Sequence, residues 1–240
     1  MKHLIIIPTY NERGNIEILL DKIKKLALLD VDILVVDDNS PDKTGELIKS
    51  RQKIQANLFL LARPTKQGLG KAYLAGFAWG LERGYDVLIQ MDADLSHQPR
   101  YLPVMINGIK NKDFVIGSRY VRRGGTAGWG MMRRFLSAGG NLYARLILGV
   151  NIKDFTGGFN AWRAEVLKKI GLENIRSNGY SFQVELKYRA VQNNFNYLEV
   201  PIIFTERERG QSKINGGVIK EAIGMIIYLR FKKLPRKLNV

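Results

Sequence analysis

Short apolar runs alternate with helix-length apolar repeats through the first 95 residues, and this narrows the possible folds more than any other feature of the chain. Residues 4–7 read as a buried strand, after which Ile16, Leu19, Leu20, Ile23 and Leu26 recur at helical spacing. Residues 32–36 form a second strand. Ser40, Pro41 and Asp42 then open a helix, since Ser and Asp cap helix starts and proline is tolerated in the first turn. A strand over 58–61, a helix over 70–81 and a strand over 87–91 continue the series. Elements alternating at these lengths predict βαβ units and a mostly parallel sheet with helices on both faces. In such sheets ligands bind beyond the carboxyl ends of the strands.

The second half is less regular. Residues 114–116 read as a strand ending at Gly117-Ser118-Arg119, and residues 120–130 as a Gly- and Arg-rich mobile loop. Residues 133–148 and 181–192 read as helices, 197–204 as a late strand, and 207–217 as a polar loop. An amphipathic helix over 218–231 carries Ile219, Ala222, Ile223, Ile226, Ile227 and Leu229 and leads into Arg230, Lys232, Lys233, Arg236 and Lys237. Such a helix suits a membrane interface as well as it suits a core-packed end with a solvated tail.

Composition removes several chemistries. The 240 residues include no cysteine, which excludes disulfides, thiolate catalysis and Cys-based metal sites. The two histidines, His3 and His97, are too few for a multi-histidine metal site. No apolar stretch approaches the ~18 residues of a membrane span, and the run before Pro8 is too short for a signal peptide. A cytoplasmic or membrane-peripheral protein is therefore expected. The net charge is +16, unevenly placed: residues 1–95 hold 13 basic and 13 acidic groups, residues 96–240 hold 25 and 9. An anionic partner follows, with phosphate-bearing substrates and a membrane surface favoured over nucleic acid, for which no binding motif is present.

Polar clusters stand where the fold requires them. Asp92-Ala93-Asp94 ends an apolar strand, and two carboxylates that close are costly without a cation. A divalent ion shared with substrate phosphates resolves this, whereas an exposed turn with solvated acids is the plain alternative. Asp37-Asp38-Asn39-Ser40 ends the second strand and suits ribose or base hydroxyls and amines, or a helix cap. In the first loop Tyr10 can stack on a base and Glu12 can accept from it, though Asn11 and Glu12 also suit a turn. Gly68-Leu69-Gly70-Lys71 lacks phosphate-loop spacing and reads as a helix start, with Lys66 within reach of substrate. Arg119, Arg133, Arg134, Arg207, Arg209 and Lys213 could clamp a diphosphate, since Arg grips phosphate bidentately.

These stretches resemble the family-2 glycosyltransferases of GT-A fold, more narrowly the dolichyl-phosphate mannose synthases, which are polyprenyl-phosphate mannosyltransferases. The resemblance rests on IIIPTYNERGNI at 5–16, VVDDNSPDKTGE at 35–46, QMDADLSHQP at 90–99, GSRYV at 117–121, DFTGGFNAWR at 154–163, GYSFQVEL at 179–186 and ERERGQSK at 206–213. It implies a single Rossmann-like GT-A catalytic domain over 1–217, with a nucleotide half at 1–95 and an acceptor half at 96–217, then a helix and tail over 218–240. It implies inverting mannosyl transfer from GDP-mannose to dolichyl or polyprenyl phosphate with Mg²⁺ or Mn²⁺; transfer from UDP-glucose is the nearest alternative, and a non-catalytic nucleotide-sugar binder is a more distant one.

Carried over by position, Pro8, Tyr10, Glu12, Val36 and Asp38 would line the nucleoside pocket. Asp92, Ala93 and Asp94 would face sugar, ribose and diphosphate. Asp94 would hold the metal with Asp92 and Ser96, where some relatives carry the longer Gln. Arg119 would contact the mannosyl end, Arg207 and Lys213 would close over the diphosphate, and Arg133 and Ser137 would hold the acceptor phosphate. Asp154 is a candidate base by position and equally a structural acceptor. Attachment to the cytoplasmic face of a membrane is implied, directly or through a separate anchoring subunit.

Overall fold

The structure, a computed structural model, describes residues 1–177, 179–206 and 216–231; of Tyr180 and residues 216–221 it describes the backbone alone. Strand β1 (His3–Thr9) lies between β2 (Val31–Asp37) and β4 (Val87–Gln90), with β3 (Leu58–Ala62) beyond β2, all parallel. Helices α1 (Arg13–Lys24), α2 (Thr44–Gln52) and α3 (Leu69–Glu82) make the crossovers. After β4 come α4 (Leu102–Gly108), β5 (Phe114–Ser118), β6 (Gly125–Ala127), α5 (Met131–Leu148), β7 (Asn160–Arg163) and α6 (Ala164–Lys169). The chain continues through α7 (Gly179–Gln192), β8 (Tyr197–Pro201), β9 (Ile203–Thr205) and α8 (Gly216–Phe231). The main sheet runs β3-β2-β1-β4-β7-β5-β8, with β7 antiparallel to both neighbours, while β6 and β9 form a separate ribbon. This is the α/β architecture expected, with a single reversed strand.

The strand sequences dictate the layering. Successive side chains point to opposite faces, so Leu4, Ile6, Leu34 and Val36 enter one core with Phe77, Leu148 and Phe182. Ile5, Ile7, Ile33 and Val35 enter the other with Ile16, Leu20, Ile48 and Met105. Helix α3 lies very close to the sheet. A Cβ at Gly76 would stand 2.5 Å from Ile6 Cγ2, and one at Gly80 2.7 Å from Leu88 Cδ2.

Four details depart from expectation. Helix α2 starts at Thr44, because Ser40 is tied to Asp37 and it is Asp42 Oδ1 that accepts from the Thr44 amide (3.0 Å) and hydroxyl (2.6 Å). The strand expected over 197–204 is two strands broken at Ile202, whose amide donates to Ser118 O and whose side chain is buried. The segment 120–130 contains β6, ordered by pairing with β9. The C-terminal helix buries Ile226 and Leu229 but exposes Ile223, Ile227, Tyr228 and Phe231. Its described side chains are thus apolar on both faces rather than divided between polar and apolar.

Candidate active site

The loops leaving β1, β2 and β4 each turn through a left-handed residue, at Asn11 (φ 60°), Asn39 (φ 56°) and Leu95 (φ 63°). Asn adopts this region readily and Leu does not. Leu95 is held there by burial of its side chain and by its carbonyl, which accepts from Gln98 Nε2 (3.0 Å) and Thr205 Oγ1 (3.1 Å). Such strain persists where the surroundings over-determine it and clusters at functional sites.

That turn sets out Asp92 and Asp94. Tyr73 on α3 donates its hydroxyl to Asp92 Oδ1 at 2.8 Å. Burial, then the Asp92 charge, pushes the Tyr73 hydroxyl well above its ordinary pKa, so it stays a donor. Asp94 Oδ1 accepts from the Ser96 hydroxyl (2.5 Å) and amide (3.1 Å). Ser96 therefore positions Asp94; to bond a metal directly, that buried hydroxyl would have to turn away. Two adjacent carboxylates fit Mg²⁺ or Mn²⁺, hard ions that take one or two carboxylates and complete their shell with phosphate and water oxygens. Among the described residues no cluster of three or more His, Cys, Asp or Glu suits a metal.

His97 closes the floor. Its ring stacks on Phe159 (5.0 Å between centroids), and its Nδ1 accepts the Asp92 amide at 2.9 Å. Burial lowers its pKa and outweighs the opposing charges of Asp92 and Asp94. The ring is thus neutral when folded and protonates near 6.5 when unfolded. Between those values the unfolded chain binds more protons, so stability falls as pH drops below about 6.5. Urea titrations at descending pH will show this, and the slope will shrink in His97→Gln to the part left by His3, whose pKa burial also lowers. An unchanged slope would refute the assignment.

The nucleoside side is only partly as expected. Asp38 lies buried at the end of β2 and pairs with Arg63 (2.8 Å), which no motif singled out as a partner. Its neighbour Asp37 is structural, accepting from Thr9 Oγ1 (2.8 Å), Ser40 Oγ (2.6 Å) and Ser40 N (3.0 Å). Lys66 Nζ stands 3.7 Å above the Tyr10 ring, on a face that could stack a base. Glu12 accepts from Asn15 Nδ2 (2.8 Å) at the start of α1. Pro8 is half-buried on β1. The side chains of Val36 on β2 and of Ala93 in the turn after β4 are buried in opposite cores, so a nucleotide contact there would be made by their backbone.

Arg119, expected at the mannosyl end, follows β5 and is gripped by Asp154. Its Nε and Nη2 donate to Oδ2 and Oδ1 at 2.8 and 2.7 Å, and its amide donates to Oδ2 at 2.9 Å. Burial alone would raise the Asp154 pKa, but Arg119, aided by Lys187, holds it below the ordinary carboxylate value. A fully buried carboxylate held below its ordinary pKa and locked by a guanidinium fits the structural-acceptor role rather than that of a base. Lys187 donates to the carbonyls of Asp154, Phe155 and Gly157 at 3.0, 3.0 and 2.7 Å, fastening this loop from α7. Burial pulls its pKa down to about 7, against the pull of Asp154.

Trp129 stands between Arg133, expected at the acceptor phosphate, and Arg119, expected at the mannosyl end: its ring lies 4.0 Å from the Arg133 guanidinium and 5.5 Å from that of Arg119. Arg133 Nη1 donates to Glu206 at 3.1 Å, and Ser137 Oγ, one turn along α5, bonds the Tyr120 hydroxyl at 2.7 Å. Trp129, Tyr120, Glu206 and Lys187 were not singled out in the sequence: the first three stand in irregular stretches with no periodic signal, and Lys187 is a charged residue at a buried position of α7. Arg207, Arg209 and Lys213 lie outside the described residues.

Residues 4–171 match the family model of glycosyl transferase family 2. The chain belongs to that family. This glycosyltransferase is 47% identical over 223 residues to the undecaprenyl-phosphate mannosyltransferase of Micrococcus luteus, covering 93% of this chain and 91% of that one. It is 48% identical over 222 residues to the polyprenol monophosphomannose synthase of Mycolicibacterium smegmatis, covering 92% and 83%. The kinship read from the motifs therefore holds along nearly the whole glycosyltransferase. In fold it resembles crystal structures of glucosyl-3-phosphoglycerate synthase from Mycobacterium tuberculosis. One, with Mn²⁺, UDP and glucosyl-3-phosphoglycerate, gives a TM-score of 0.67 at 18% identity, covering 98% of this chain and 81% of that one. Another, with Mg²⁺ and UDP, gives 0.69 at 17% with the same coverage. At that identity the likeness is one of fold.

Proposed function

We propose that the enzyme transfers mannose from GDP-mannose to a polyprenyl phosphate with inversion at the anomeric carbon, at the cytoplasmic face of a membrane. The observation that carries this reading is its identity, over more than nine-tenths of the chain, with two proteins named for mannosyl transfer to polyprenyl carriers. Residues 1–95 form the nucleotide half, 96–217 the acceptor half, and 218–240 a C-terminal helix and tail.

The chemistry follows from side chains already described. Asp92 and Asp94 hold Mg²⁺ or Mn²⁺, which when bound supplies positive charge to the departing diphosphate. Tyr73 and Ser96 fix the two carboxylates, so little reorganisation is needed as charge develops. Tyr10, Glu12 and Asp38 receive the nucleoside, and Arg207 and Lys213 cover the diphosphate. Arg119, braced by Asp154, borders the transferred sugar, while Arg133 and Ser137 hold the acceptor phosphate. No general base is needed, because a phosphomonoester has its second pKa near ~6 and is mostly dianionic at neutral pH. That agrees with a neutral His97 and a locked Asp154.

The deciding experiment incubates the purified enzyme with polyprenyl phosphate, Mn²⁺ and either GDP-mannose or UDP-glucose, and follows the lipid product. Mannolipid from GDP-mannose is expected. Glucolipid alone would replace the donor, and no product from either would refute the reading. Glu206, which occupies Arg133 through a partly exposed pair, competes with the acceptor phosphate. Exposed pairs are worth ~1 kcal/mol or less. Glu206→Gln should therefore lower the acceptor KM by up to about fivefold with kcat unchanged; an unchanged KM would show that Arg133 does not meet the acceptor.

A further inference from the structure

A tryptophan sets the direction of three buried amides beside the carboxylate pair. Trp162 Nε1, on β7, can only donate, and it donates to Gln90 Oε1 at 2.9 Å. The atom of Asn160 that faces the same oxygen at 3.1 Å is therefore Nδ2, and it also donates to Gln183 Oε1 at 3.1 Å. The oxygen of Gln183 is thus committed to Asn160, and its Nε2 is turned elsewhere. Phe182 holds this end of α7 in place: its ring stacks on that of Tyr73, the donor to Asp92, with 6.3 Å between centroids and 5° between planes.

Gln183 is buried, and its Nε2 has no partner among the described residues. Buried donors are rarely left so without a reason. Gly158 shows where this one points. A Cβ at that partly exposed glycine would stand 3.4 Å from His97 Cε1, 3.6 Å from Gln183 Nε2 and 3.7 Å from Asp92 Oδ2. Asp92 Oδ1 is taken by Tyr73, and a quarter of the Asp92 side chain is exposed. An unpaired donor and a carboxylate oxygen thus converge over one glycine, whose missing side chain leaves the space between them open.

We propose that Gln183 is a specificity-determining residue of the transfer: with Asp92 it holds one hydroxyl of the transferred sugar over Gly158. The hydroxyl accepts from Gln183 Nε2 and donates to Asp92 Oδ2. A phosphate oxygen would accept from the amide but meet a like charge at Asp92, so the pair selects a group that is donor and acceptor at once. A carboxylate oxygen has a second lone pair, which leaves room for an ion at Asp92. The ribose also bears hydroxyls, but the loop that carries Gly158 is the one that braces Arg119. Gly157 N donates to Asp154 Oδ1 at 2.9 Å, and Asp154 grips Arg119, which borders the sugar in the proposed function. The inference deepens that function and rests on it for the sugar.

The test compares the parent with Gln183→Met and Gly158→Ala. It measures transfer from GDP-mannose and its monodeoxy-mannose analogues, and calorimetric binding of GDP-mannose and GDP. Methionine removes the donor at similar volume, and Asn160 Nδ2 keeps Gln90 Oε1 and the Gly157 carbonyl as acceptors. Alanine fills the space with ordinary contacts and leaves every amide in place. In the parent one analogue should lose roughly ten- to a hundredfold in kcat/KM, as expected when a buried polar group is left unpaired. Gln183→Met should lose as much with GDP-mannose and no longer discriminate against that analogue, while the others keep their penalties. Gly158→Ala should weaken GDP-mannose and spare GDP, and it carries the test should the methionine variant melt early. Equal penalties for every analogue in the parent and Gln183→Met would overturn the proposal. So would a parallel loss of GDP affinity, which would move the contact to ribose or diphosphate. If only UDP-glucose is turned over, the proposed donor falls, and the same cycle with deoxy-glucose donors decides Gln183. If neither donor is turned over, the proposed function falls, and binding decides the contact: a preference for nucleotide sugar over free nucleotide that both variants abolish sustains it, and no such preference overturns it.

Discussion

Replacing Asp94 by Asn should lower transfer by on the order of a thousandfold while leaving the fold intact. The amide oxygen can still accept from the Ser96 hydroxyl and amide that meet Asp94 Oδ1, so the turn keeps its bonds. What is lost is the negative charge that draws a divalent ion to the diphosphate. Two measurements separate the causes. Titration of Mn²⁺ in the presence of GDP should show weakened binding in the variant, and thermal melting should be unchanged. Near-normal turnover would refute the assignment of Asp94. Ser96→Ala should show a milder version of the same defect, because Ser96 orients the carboxylate without supplying its charge.

The second large effect concerns stability. Asp154→Asn should lower the free energy of unfolding by about 3–5 kcal/mol, the cost of leaving a buried charge without its partner. Arg119 and Asp154 are both buried, and four donors converge on that carboxylate: Arg119 N, Nε and Nη2, and Gly157 N. An amide cannot accept them all. The pH dependence carries a definite sign. Because Asp154 has a folded pKa below the ordinary 3.8, its contribution is present above the unfolded value and is lost as pH falls through the folded one. The variant's stability should therefore depend less steeply on pH below about 4. Urea midpoints across that range check both statements; a loss under about 1 kcal/mol would mean that Arg119 finds another anion.

The first four strands and helix α1 were legible because apolar residues recur along them at the periods of a buried strand and a one-sided helix, whereas α2 was signalled only by Ser40-Pro41-Asp42 at its start. Leu4 to Ile7 and Ile16 to Ile23 needed no tertiary information, and the rule placing ligands at strand ends then located Asp38, Asp92 and Asp94. Past residue 95 the periodic signal fails. Strand β7 is Asn-Ala-Trp-Arg and runs against its neighbours, with its Asn160 bonded to Gln90 and Gln183, so its pattern is set by a polar network rather than by alternation. Strand β6 exists only because β9 pairs with it. Val36 and Ala93 show the converse limit: position along the motif named them, and side-chain direction put them in the cores.

The sequence by itself determined the parallel α/β half, the paired carboxylates at a strand end and the excess of cations in residues 96–240. These are local properties of spacing and charge. Only the tertiary structure decided what each group is bonded to. Burial joins Asp154 to Arg119 and so turns a candidate base into a brace, and it keeps His97 neutral beside Asp92. Packing sets Trp129 between Arg119 and Arg133 and turns Gln183 towards Asp92, since these contacts join residues far apart in the chain.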